Sequence, residues 1–496
     1  MKKIVFLFLL AVSCFQAQAQ KEAANWFFGS GCGLDFINTV TKNDASSVAV
    51  TDVPTNQSSP LSTYEGCFSL SDSDGRIIVF SDGMRVYNKD KALIASGLRG
   101  NSSSAQSGIL IPWPEKPGFY FIISNAQSGT GSGGIFYSVF DAAGNSGNGL
   151  VTNINTALKT TGYVTTTNLY ENVTSVKHDN GTDYWLLNRT GQYMFAWLIT
   201  KNGFVNLEPT AITTIPGTVS TIPMVSEGYM KMSPDGKQIC HANIDAPNGE
   251  VLLADFDNST GKISNIKLRN IYPGGNSALG RIYGVEFSPS GKNMFISQLN
   301  GGLYVIPTAE FMTATPKLIT SLIGIVQTGP DGRLYGIIKS GKRLGIIPNP
   351  EDDIPNIKIH LFENYLTGTA EWGLPTFVAS FFNAKAVDKS FVCVGNDFKY
   401  TVEISMSGAI ADQPTKLEWN FGDGSAKVNQ TIVSGTTIYK QTHNYTATGK
   451  YNITITPYKS NGAALSPVTL PANVTDCIFR TNRMIRTDLL NTAQQK

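Results

Sequence analysis

The sequence predicts an all-β protein, because short apolar runs recur along it and turn-forming residues separate them. Representative runs are Ile77–Phe80, Phe119–Ile123 and Val251–Asp255. Runs this short, bounded by Gly, Asn, Asp, Ser and Pro, are typical of β-strands. The 3.6-residue apolar period of a long amphipathic helix is almost absent. With 48 Gly and 23 Pro among 496 residues, the chain is rich in residues that favour turns.

A turn of common composition precedes many of these runs. Ser233–Lys237 reads Ser-Pro-Asp-Gly-Lys, and Ser288–Lys292 and Gly329–Arg333 are near copies of it. Pro fixes φ, Asp bonds to the backbone and Gly adopts a positive φ, so this sequence closes a hairpin between two strands. The turn glycines are Gly75, Gly118, Gly181, Gly236, Gly291 and Gly332, at spacings of 43, 63, 55, 55 and 41 residues.

This irregular repeat predicts a β-propeller with one such hairpin in each blade. We expect seven blades over residues 24–385, with six or eight as the alternatives. Six hairpins are visible in the sequence. We expect the N-terminal strand Asn25–Phe28 to complete a further blade by pairing with the last strands around Thr376–Phe382.

Composition and charge exclude several classes of protein. Lys and Arg total 39 and Asp and Glu total 37, so the net charge is +2, and no basic block marks a nucleic-acid partner. A mean hydropathy of -0.07 and a single short apolar run exclude a polytopic membrane protein. Aromatic residues make up 10% of the chain, which is too many for a disordered protein.

Residues 1–19 are predicted to be a signal peptide. Lys2 and Lys3 precede an apolar stretch, Ile4–Val12, and Ala17-Gln18-Ala19 forms an A-x-A cleavage site. Lipidation at Cys14, which follows a degenerate lipobox, is the alternative. Either route exports the protein, to the cell surface, the outer membrane or the medium.

Five cysteines follow the predicted cleavage site. Outside the cytoplasm they can pair, and we expect a disulfide between Cys393 and Cys477, which bracket the C-terminal region. A disulfide between Cys32 and Cys67 is the second expectation, and Cys240, in a strand-like run, is expected to be a buried free thiol. No C-x-x-C spacing supports a structural zinc or a redox site.

The character of the sequence changes after the predicted propeller. Residues 388–476 are predicted to form a small two-sheet sandwich, followed by a tail at 477–496. Alternation places Tyr451, Ile453 and Ile455 on one face of a strand.

This segment resembles the PKD domain, an immunoglobulin-like β-sandwich. The motif of that family stands here as Trp419 to Ser425, and its later run as His443, Tyr445, Gly449, Tyr451 and Ile453. We interpret these residues as structural. Trp419, which shares a strand face with Phe421, is assigned to the core, and Asp423 and Gly424, which follow Gly422 in the motif, are assigned to a tight turn. Tyr445 and Tyr451 are expected to pack on neighbouring strands.

The N-terminal part is similar to secreted Bacteroidetes propeller–PKD proteins that accompany gliding motility and type IX secretion. The matching residues are Trp26–Gly29, Gly33–Phe36, Glu65–Cys67 and Phe80–Asn88. The resemblance implies cell-surface or extracellular display, adhesion or carbohydrate contact, and no defined catalysis. Such proteins often end in a sorting domain, and the tail at 477–496 is shorter than one. We therefore expect either a truncated chain or a protein that stays with an outer-membrane or periplasmic partner.

Few residues indicate chemistry. The histidines His178, His241, His360 and His443 lie far apart, so no helical metal motif exists. Asp72–Gly75 suggests a calcium loop but lacks the downstream Glu, and we interpret it as a hairpin turn. No cofactor is expected. Trp113, between two prolines, is the candidate ligand-binding residue, with packing between blades as the alternative.

The sequence therefore predicts a non-enzymatic binding or adhesion protein of the cell surface or extracellular space. Its propeller would present a protein or glycan ligand site, and its PKD segment would act as a spacer or second contact. The first alternative is an accessory subunit that docks to an outer-membrane type IX secretion or gliding complex. The second is a carbohydrate-active hydrolase or lyase with carboxylates in a central funnel.

Overall fold

The computed structural model confirms the all-β prediction. It describes residues 21–127, 133–164, 169, 171–216, 227–244, 249–271, 282–299, 301–382, 391–395, 397–404, 413–433, 438–465 and 467–475. The predicted signal peptide, Cys14, Cys477 and the 477–496 tail lie outside the described residues. One compact unit spans Gln18–Ala384, and a second contains Lys385–Lys496.

The described residues of the first unit form seven antiparallel sheets that follow one another along the chain. The first three sheets contain β1 (Asn25–Phe28), β2 (Cys32–Asn43) and β3 (Ala49–Asn56); then β4 (Phe68–Ser71), β5 (Ile77–Ser81), β6 (Arg85–Asn88) and β7 (Leu93–Ser96); then β8 (Gly108–Pro112), β9 (Phe119–Asn125), β10 (Ile135–Asp141) and β11 (Leu150–Ala157). Within each of these sheets, strands adjacent in sequence pair with each other.

The same order continues through the remaining four sheets of this unit. They contain β12 (Thr174–Lys177), β13 (Tyr184–Thr190), β14 (Tyr193–Thr200), β15 (Gly203–Phe204) and β16 (Ala211–Thr214); β17 (Met230–Met232), β18 (Gln238–Asn243), β19 (Glu250–Asp257) and β20 (Lys262–Asn270); β21 (Ile282–Phe287), β22 (Asn293–Gln298), β23 (Leu303–Pro307) and β24 (Lys317–Thr320); and β25 (Ile325–Thr328), β26 (Leu334–Ile337), β27 (Leu344–Ile347) and β28 (His360–Phe362). In the fourth sheet, β15 and β16 both pair with β14.

Helical structure in the described part of the chain is limited to short turns. Gly144–Gly147 is a four-residue α-helical segment, and Thr308–Glu310, Ile354–Asn356 and Ala379–Phe381 are 3-10 turns. None of these is long and apolar enough to cross a membrane.

The recurring turn joins the first strand of a sheet to the second, which confirms the predicted hairpins. All six predicted glycines have a positive φ, for example 72° at Gly236 and 78° at Gly291. A residue with a Cβ is strained in that conformation, whereas Gly adopts it freely. Asp235 accepts a hydrogen bond from the Lys237 backbone N–H at 3.1 Å, so the acidic residue closes the turn as expected.

The predicted pairing of Asn25–Phe28 with the strand around Thr376–Phe382 is wrong. Strand β1 pairs instead with β2, and Phe28 lies opposite Cys32 across a turn that contains Gly29 and Gly31. Both glycines have a positive φ. This local hairpin closes at a small entropic cost, whereas pairing with residues about 350 positions later closes a very long loop.

Each sheet contacts the next through its first strand, and the first sheet also contacts the seventh. The first strands β1, β4, β8, β12, β17, β21 and β25 contact one another in sequence order. Next to them, Ser30 and Thr369 exchange two backbone hydrogen bonds of 2.9 Å. Near the β2–β3 turn, the Ala45 N–H donates to the Leu361 carbonyl at 2.7 Å.

Large apolar side chains fill the space between neighbouring sheets. Trp185 of the fourth sheet is fully buried with Ile239, Leu252 and Phe256 of the fifth. Its indole N–H donates to the Asn258 carbonyl at 2.8 Å. The sheets are thus held together by burial of apolar surface on both of their faces.

The second unit contains two sheets packed around its own core. Its strands are β29 (Phe391–Cys393), β30 (Asp397–Glu403), β31 (Pro414–Asn420), β32 (Val428–Thr431), β33 (Ile438–Asn444), β34 (Gly449–Lys459) and β35 (Val468–Thr475). One sheet has the order β29-β35-β34-β31-β32, and the other pairs β30 with β33. Leu417, Trp419, Ile453 and Ile455 are fully buried in the core.

The stability contributed by the contact between the first and seventh sheets should depend on pH. His360 Nδ1 lies 2.7 Å from Asp44 Oδ2. This hydrogen bond, with one from the Val48 backbone N–H, lowers the pKa of the Asp44 carboxyl. A lowered pKa contributes stability above the unfolded-state value, and that contribution is lost as the pH falls through the folded-state value. We therefore expect Asp44→Asn to lower the melting temperature at pH 7 by a few degrees and to have much less effect at pH 3.

Calorimetry of the full chain at both pH values measures this difference. Asp90→Asn, which removes an exposed carboxylate that forms an ion pair with Lys89, is the matched control and should leave the melting temperature unchanged. Equal melting temperatures for Asp44→Asn and wild type at pH 7 would show that the contact does not stabilise the protein.

Candidate functional site

A group of polar and aromatic residues converges near the beginnings of the first strands, together with the β26–β27 connection and a segment that follows the seventh sheet. We call this group the polar cluster; its members are Tyr64, Glu65, Glu171, Glu227, Tyr283, Lys339, Glu371 and Trp372. Tyr283 is fully buried, and its hydroxyl lies close enough to Glu65, Glu171 and Glu227 for all three carboxyls to raise its pKa, after burial itself. Residues at or just before the first strands of the second, fourth, fifth and sixth sheets therefore converge here.

A segment that follows the seventh sheet completes the polar cluster. The Trp372 N–H donates to the Tyr64 carbonyl at 2.9 Å, and the Leu374 N–H donates to the Tyr229 hydroxyl at 3.1 Å. Gly373 is required between them, because a Cβ at that position would lie 1.7 Å from the Glu65 carbonyl oxygen. Close backbone contact therefore fixes Trp372 beside Tyr64 and Glu65.

Gln106 holds three of the loops in position. Its side-chain oxygen accepts hydrogen bonds from the Val173 N–H at 3.2 Å and the Met230 N–H at 2.8 Å. Glu171 is fully buried, and its Oε2 accepts a hydrogen bond from the Ala105 N–H at 3.0 Å. Because buried polar groups with satisfied hydrogen bonds are rigid, the framework around the polar cluster is fixed.

Glu65 is the electrostatically unusual member. Its side chain is 5% exposed, and Oε2 has no hydrogen-bond partner among the described residues. Burial raises the pKa of the Glu65 carboxyl to about 8, and the Glu227 carboxyl adds to this effect. Interactions of the carboxyl with the Tyr283 and Ser103 side chains, and then the Lys339 ammonium, oppose it. The group is thus largely protonated at neutral pH.

Tyr64, Lys339 and Trp372 form an aromatic clamp around an ammonium group. Lys339 Nζ lies 3.5 Å from the centroid of the Trp372 rings and 4.4 Å from that of Tyr64, and it donates a hydrogen bond to the Tyr64 hydroxyl. The two rings meet edge to face at 4.9 Å. Beside them, Glu371 Oε2 and Trp372 Nε1 are buried without a partner in the described part of the chain.

A second buried network links the fourth and fifth sheets. Arg189 is 2.9 Å from His241 Nδ1 and donates to Glu250 Oε1 at 2.8 Å. Burial, and then the adjacent Arg189 guanidinium, lowers the pKa of His241 well below its usual range, so the imidazole is neutral. His241, isolated in the sequence, therefore accepts a hydrogen bond in a network that joins two sheets.

Trp113 lies at the opposite end of a first strand from the polar cluster. Its Nε1 donates to the Lys201 carbonyl at 2.9 Å, its rings pack 4.6 Å from Phe121, and Lys116 Nζ lies 3.6 Å above it. It borders a groove of about 320 Å³ that also includes Phe119 and Tyr184. The indole is thus held between the third and fourth sheets, and its role as a ligand contact stays a prediction.

The acidic loop at Asp72 is a hairpin turn. Asp72 Oδ1 accepts hydrogen bonds from the Asp74 N–H at 2.9 Å and the Arg76 N–H at 2.8 Å, so this oxygen closes the turn. Across the described residues, no three His, Cys, Asp or Glu side chains are placed to hold one metal ion.

The predicted Cys32–Cys67 disulfide is wrong, because both residues are free, buried thiols. Cys32 opens β2, whereas Cys67 lies before β4 in another sheet. Burial raises the pKa of the Cys32 thiol to about 12 and that of Cys67 well above its usual value. Cys240 is also free and buried, as predicted. The Cys393–Cys477 pairing involves a position outside the described residues.

In the second unit, the motif residues build a turn and the core beneath it. Gly422 and Gly424 have φ values of 77° and 82°, and Asp423 between them lies 2.7 Å from His443 Nε2. The His443 imidazole stacks on Phe421 at 3.9 Å, and the Tyr445 hydroxyl donates to the Phe421 carbonyl at 2.9 Å.

The two remaining motif residues lie next to this turn. Tyr451 stacks on Tyr445 at 4.5 Å, and Gly449 opens β34. The sequence predicted the turn but not the contact between Asp423 and His443, because these two residues meet only when the strands pair.

Residues 383–474 match the PKD domain family. No curated protein matches the chain. The matched range covers most of the second unit, in agreement with the resemblance noted in its motif.

Two solved proteins have structures similar to parts of this chain. The extracellular domain of BT4673 from B. thetaiotaomicron, in two structures, is 12% identical, with TM-scores of 0.36 and 0.34, over 91% of this chain and 55% of that one. Hydrazine synthase from Kuenenia stuttgartiensis is 11% identical, with a TM-score of 0.32, over 56% of this chain and 72% of that one. The chain thus spans about half the length of the BT4673 domain, and at this level neither protein assigns it a function.

Glu65 should make stability depend on pH in the opposite direction from Asp44. Because the pKa of Glu65 is raised, the buried carboxyl destabilises the folded state least below its unfolded-state pKa near 4.5. This destabilisation grows with pH until the pH passes about 8. We expect Glu65→Gln to be more stable than wild type at pH 9, by up to about 5 kcal/mol. At pH 4 the difference should be small.

Chemical denaturation of the full chain at both pH values tests this expectation. Glu115→Gln, which removes an exposed carboxylate near Lys201, is the control and should show no comparable pH dependence. A Glu65→Gln variant less stable than wild type at pH 9 would mean that the ionised carboxylate is stabilised in the native protein.

Proposed function

We propose that this chain is an exported, non-enzymatic binding or adhesion protein of the cell surface or extracellular space. The observation that carries the proposal is the polar cluster, where buried polar atoms without partners in the described chain lie beside the exposed ring of Tyr64. Binding sites combine apolar surface with a few fixed polar groups in this way. The PKD match of residues 383–474 fits an extracellular binding or adhesion role.

We infer that the seven sheets of the first unit form a seven-bladed β-propeller. The sequential contacts of the first strands and the hydrogen bonds between Ser30 and Thr369 support this arrangement. In a propeller the first strands surround the central axis, and the loops leading into them form one face. The polar cluster would then lie at the centre of that face, and the PKD segment would act as a spacer or second contact.

The expected ligand is a protein or glycan at the cell surface. Aromatic rings and fixed hydrogen-bonding groups recognise both classes, and Tyr64 is 40% exposed beside Trp372. Trp372 also has a buried indole N–H without a partner among the described residues, which is suited to donate to a ligand. These features favour the polar cluster over the Trp113 groove, where the indole N–H is already bonded.

Binding can be tested with full-length protein on arrays of glycans and of fractionated cell-surface proteins. We expect Trp372→Ala and Tyr64→Ala to weaken binding at least about tenfold, in keeping with the effect of aromatic contacts at binding sites. Trp113→Ala is the matched aromatic control and should bind like wild type. Binding lost in Trp113→Ala and kept in Trp372→Ala would place the ligand at the other groove and overturn the assignment.

The second candidate function is a carbohydrate-active hydrolase or lyase. The observation that favours it is Glu65, a carboxyl largely protonated at neutral pH next to the carboxyl of Glu227. Glycosidases use such a pair, with the protonated group as general acid. Incubation with a panel of polysaccharides tests it. Turnover that Glu65→Gln abolishes while binding persists would replace the non-enzymatic proposal, and its absence across the panel would reject this candidate.

The narrower proposal places the chain in the Bacteroidetes propeller–PKD group linked to gliding motility and type IX secretion. Its support is the set of N-terminal motifs. Glu65 of this set belongs to the polar cluster, and the buried Asp82 carboxylate forms an ion pair of 2.8 Å with Arg85, whose side chain is partly exposed. Docking to an outer-membrane complex is the corresponding alternative function. Purification of tagged protein from the native membrane would test it, with co-purification of a secretion or motility complex as the expected sign of an accessory subunit.

A further inference from the structure

The clamp formed by Tyr64 and Trp372 has the geometry of an ammonium-binding site. Lys339 Nζ lies above both rings, 3.5 Å from the Trp372 centroid and 4.4 Å from that of Tyr64. Ring faces carry negative electrostatic potential, and they attract a cation placed within about 6 Å of the centroid. Within this structure the clamp is occupied by a side chain of the same chain.

Carboxyl groups outnumber the ammonium group around the clamp. The Lys339 ammonium lies close enough to Glu65 and Glu371 to lower the pKa of both carboxyls, and the Glu227 carboxyl raises that of Glu65. The Oε2 atoms of Glu65 and Glu371 are buried and have no hydrogen-bond partner within the described chain. Glu65 is moreover 95% buried, since its side chain is only 5% exposed. Burial keeps Glu65 largely protonated at neutral pH, so a second positive charge placed beside it would favour the ionised carboxylate and pair with it.

Lys339 can leave the clamp without disturbing the backbone. Its neighbours are anchored, because Ser340 N–H donates to the Ala370 carbonyl at 2.8 Å and Ala370 N–H donates to the Gly341 carbonyl at 2.8 Å. The lysine side chain itself is half-buried, and its four-carbon stem is flexible enough to extend into solvent. The rings would then be open to another ammonium group, while Lys339 remains tethered nearby.

We propose that the aromatic clamp binds a ligand that carries a primary ammonium group, which displaces Lys339 from the rings of Tyr64 and Trp372 and faces Glu65 and Glu371. This inference rests on the proposed binding function and specifies its ligand chemistry. An amino sugar and a lysine side chain both present this group. Lys339 acts as an internal competitor, so it lowers the apparent affinity of the clamp.

The probe is n-butylamine, which is an ammonium ion at pH 7, and butan-1-ol is its neutral counterpart. We expect calorimetric titration of the full chain to show butylamine binding at least about tenfold tighter than butanol. Lys339→Met should raise the affinity for butylamine by a further factor of about ten, since the competitor is gone. Tyr64→Ala and Glu371→Gln should each lower it. Tyr64 is exposed, so its substitution should leave the fold intact, as a melting curve would verify.

A matched control exists at the other end of the strands. Lys116 Nζ lies 3.6 Å above Trp113 in a similar cation–π contact, but the indole N–H there is already bonded to Lys201. Lys116→Met should therefore leave butylamine affinity unchanged. An equal gain in Lys116→Met, or equal affinity for butylamine and butanol, would overturn the inference.

The two sources of the ammonium group are separated by glucosamine and lysine amide, each compared with its N-acetylated form. Preference for either free amine supports the inference and names the source, whereas equal binding of the acetylated forms contradicts it. The proposed function is tested separately by the arrays. Array binding that Trp372→Ala abolishes, without any preference for amines, would retain the function and reject this ligand chemistry.

Discussion

The structure depends on one constraint: the first strand of nearly every sheet is buried on both faces. Strands β4, β21 and β25 are buried at every position. Polar residues in such a strand, for example Ser69 and Ser71 of β4, are therefore buried as well, and they must find hydrogen-bond partners in the protein. Gln106 and Glu171 meet this need by bonding to backbone groups of neighbouring loops. In the polar cluster, Glu65 Oε2, Glu371 Oε2 and Trp372 Nε1 are buried without such a partner among the described residues.

The sequence allowed the local parts of this architecture to be predicted. The hairpins follow from residues within a few positions of each other, such as Asp235 and Gly236, whose conformational preferences act without knowledge of the fold. The pairing of Asn25–Phe28 was predicted wrongly because the turn at Gly29 and Gly31 was not weighed against a distant partner. The free state of Cys32 and Cys67 likewise depends on sheet positions that spacing alone does not reveal.

The polar cluster could not be predicted from the sequence, for a related reason. Tyr64, Glu171, Glu227 and Trp372 span about 300 residues, and only the order of the sheets brings them together. The available signal was Glu65-Gly66-Cys67, which the resemblance had marked without assigning a role. In the PKD segment, by contrast, motif spacing identified the turn, and the structure adds the reason: Asp423 and His443 join the turn to the strand that packs over it.

The position of Trp372 has a consequence for biosynthesis. Each hairpin of the first unit can form from contiguous residues soon after it leaves the ribosome or the secretion channel, since local contacts form fastest. The aromatic clamp cannot, because one of its rings is supplied after the seventh sheet while the other precedes the second. Formation of the aromatic clamp therefore requires completion of the whole first unit. A chain interrupted between the seventh sheet and Trp372 would contain all of the hairpins and still lack the clamp.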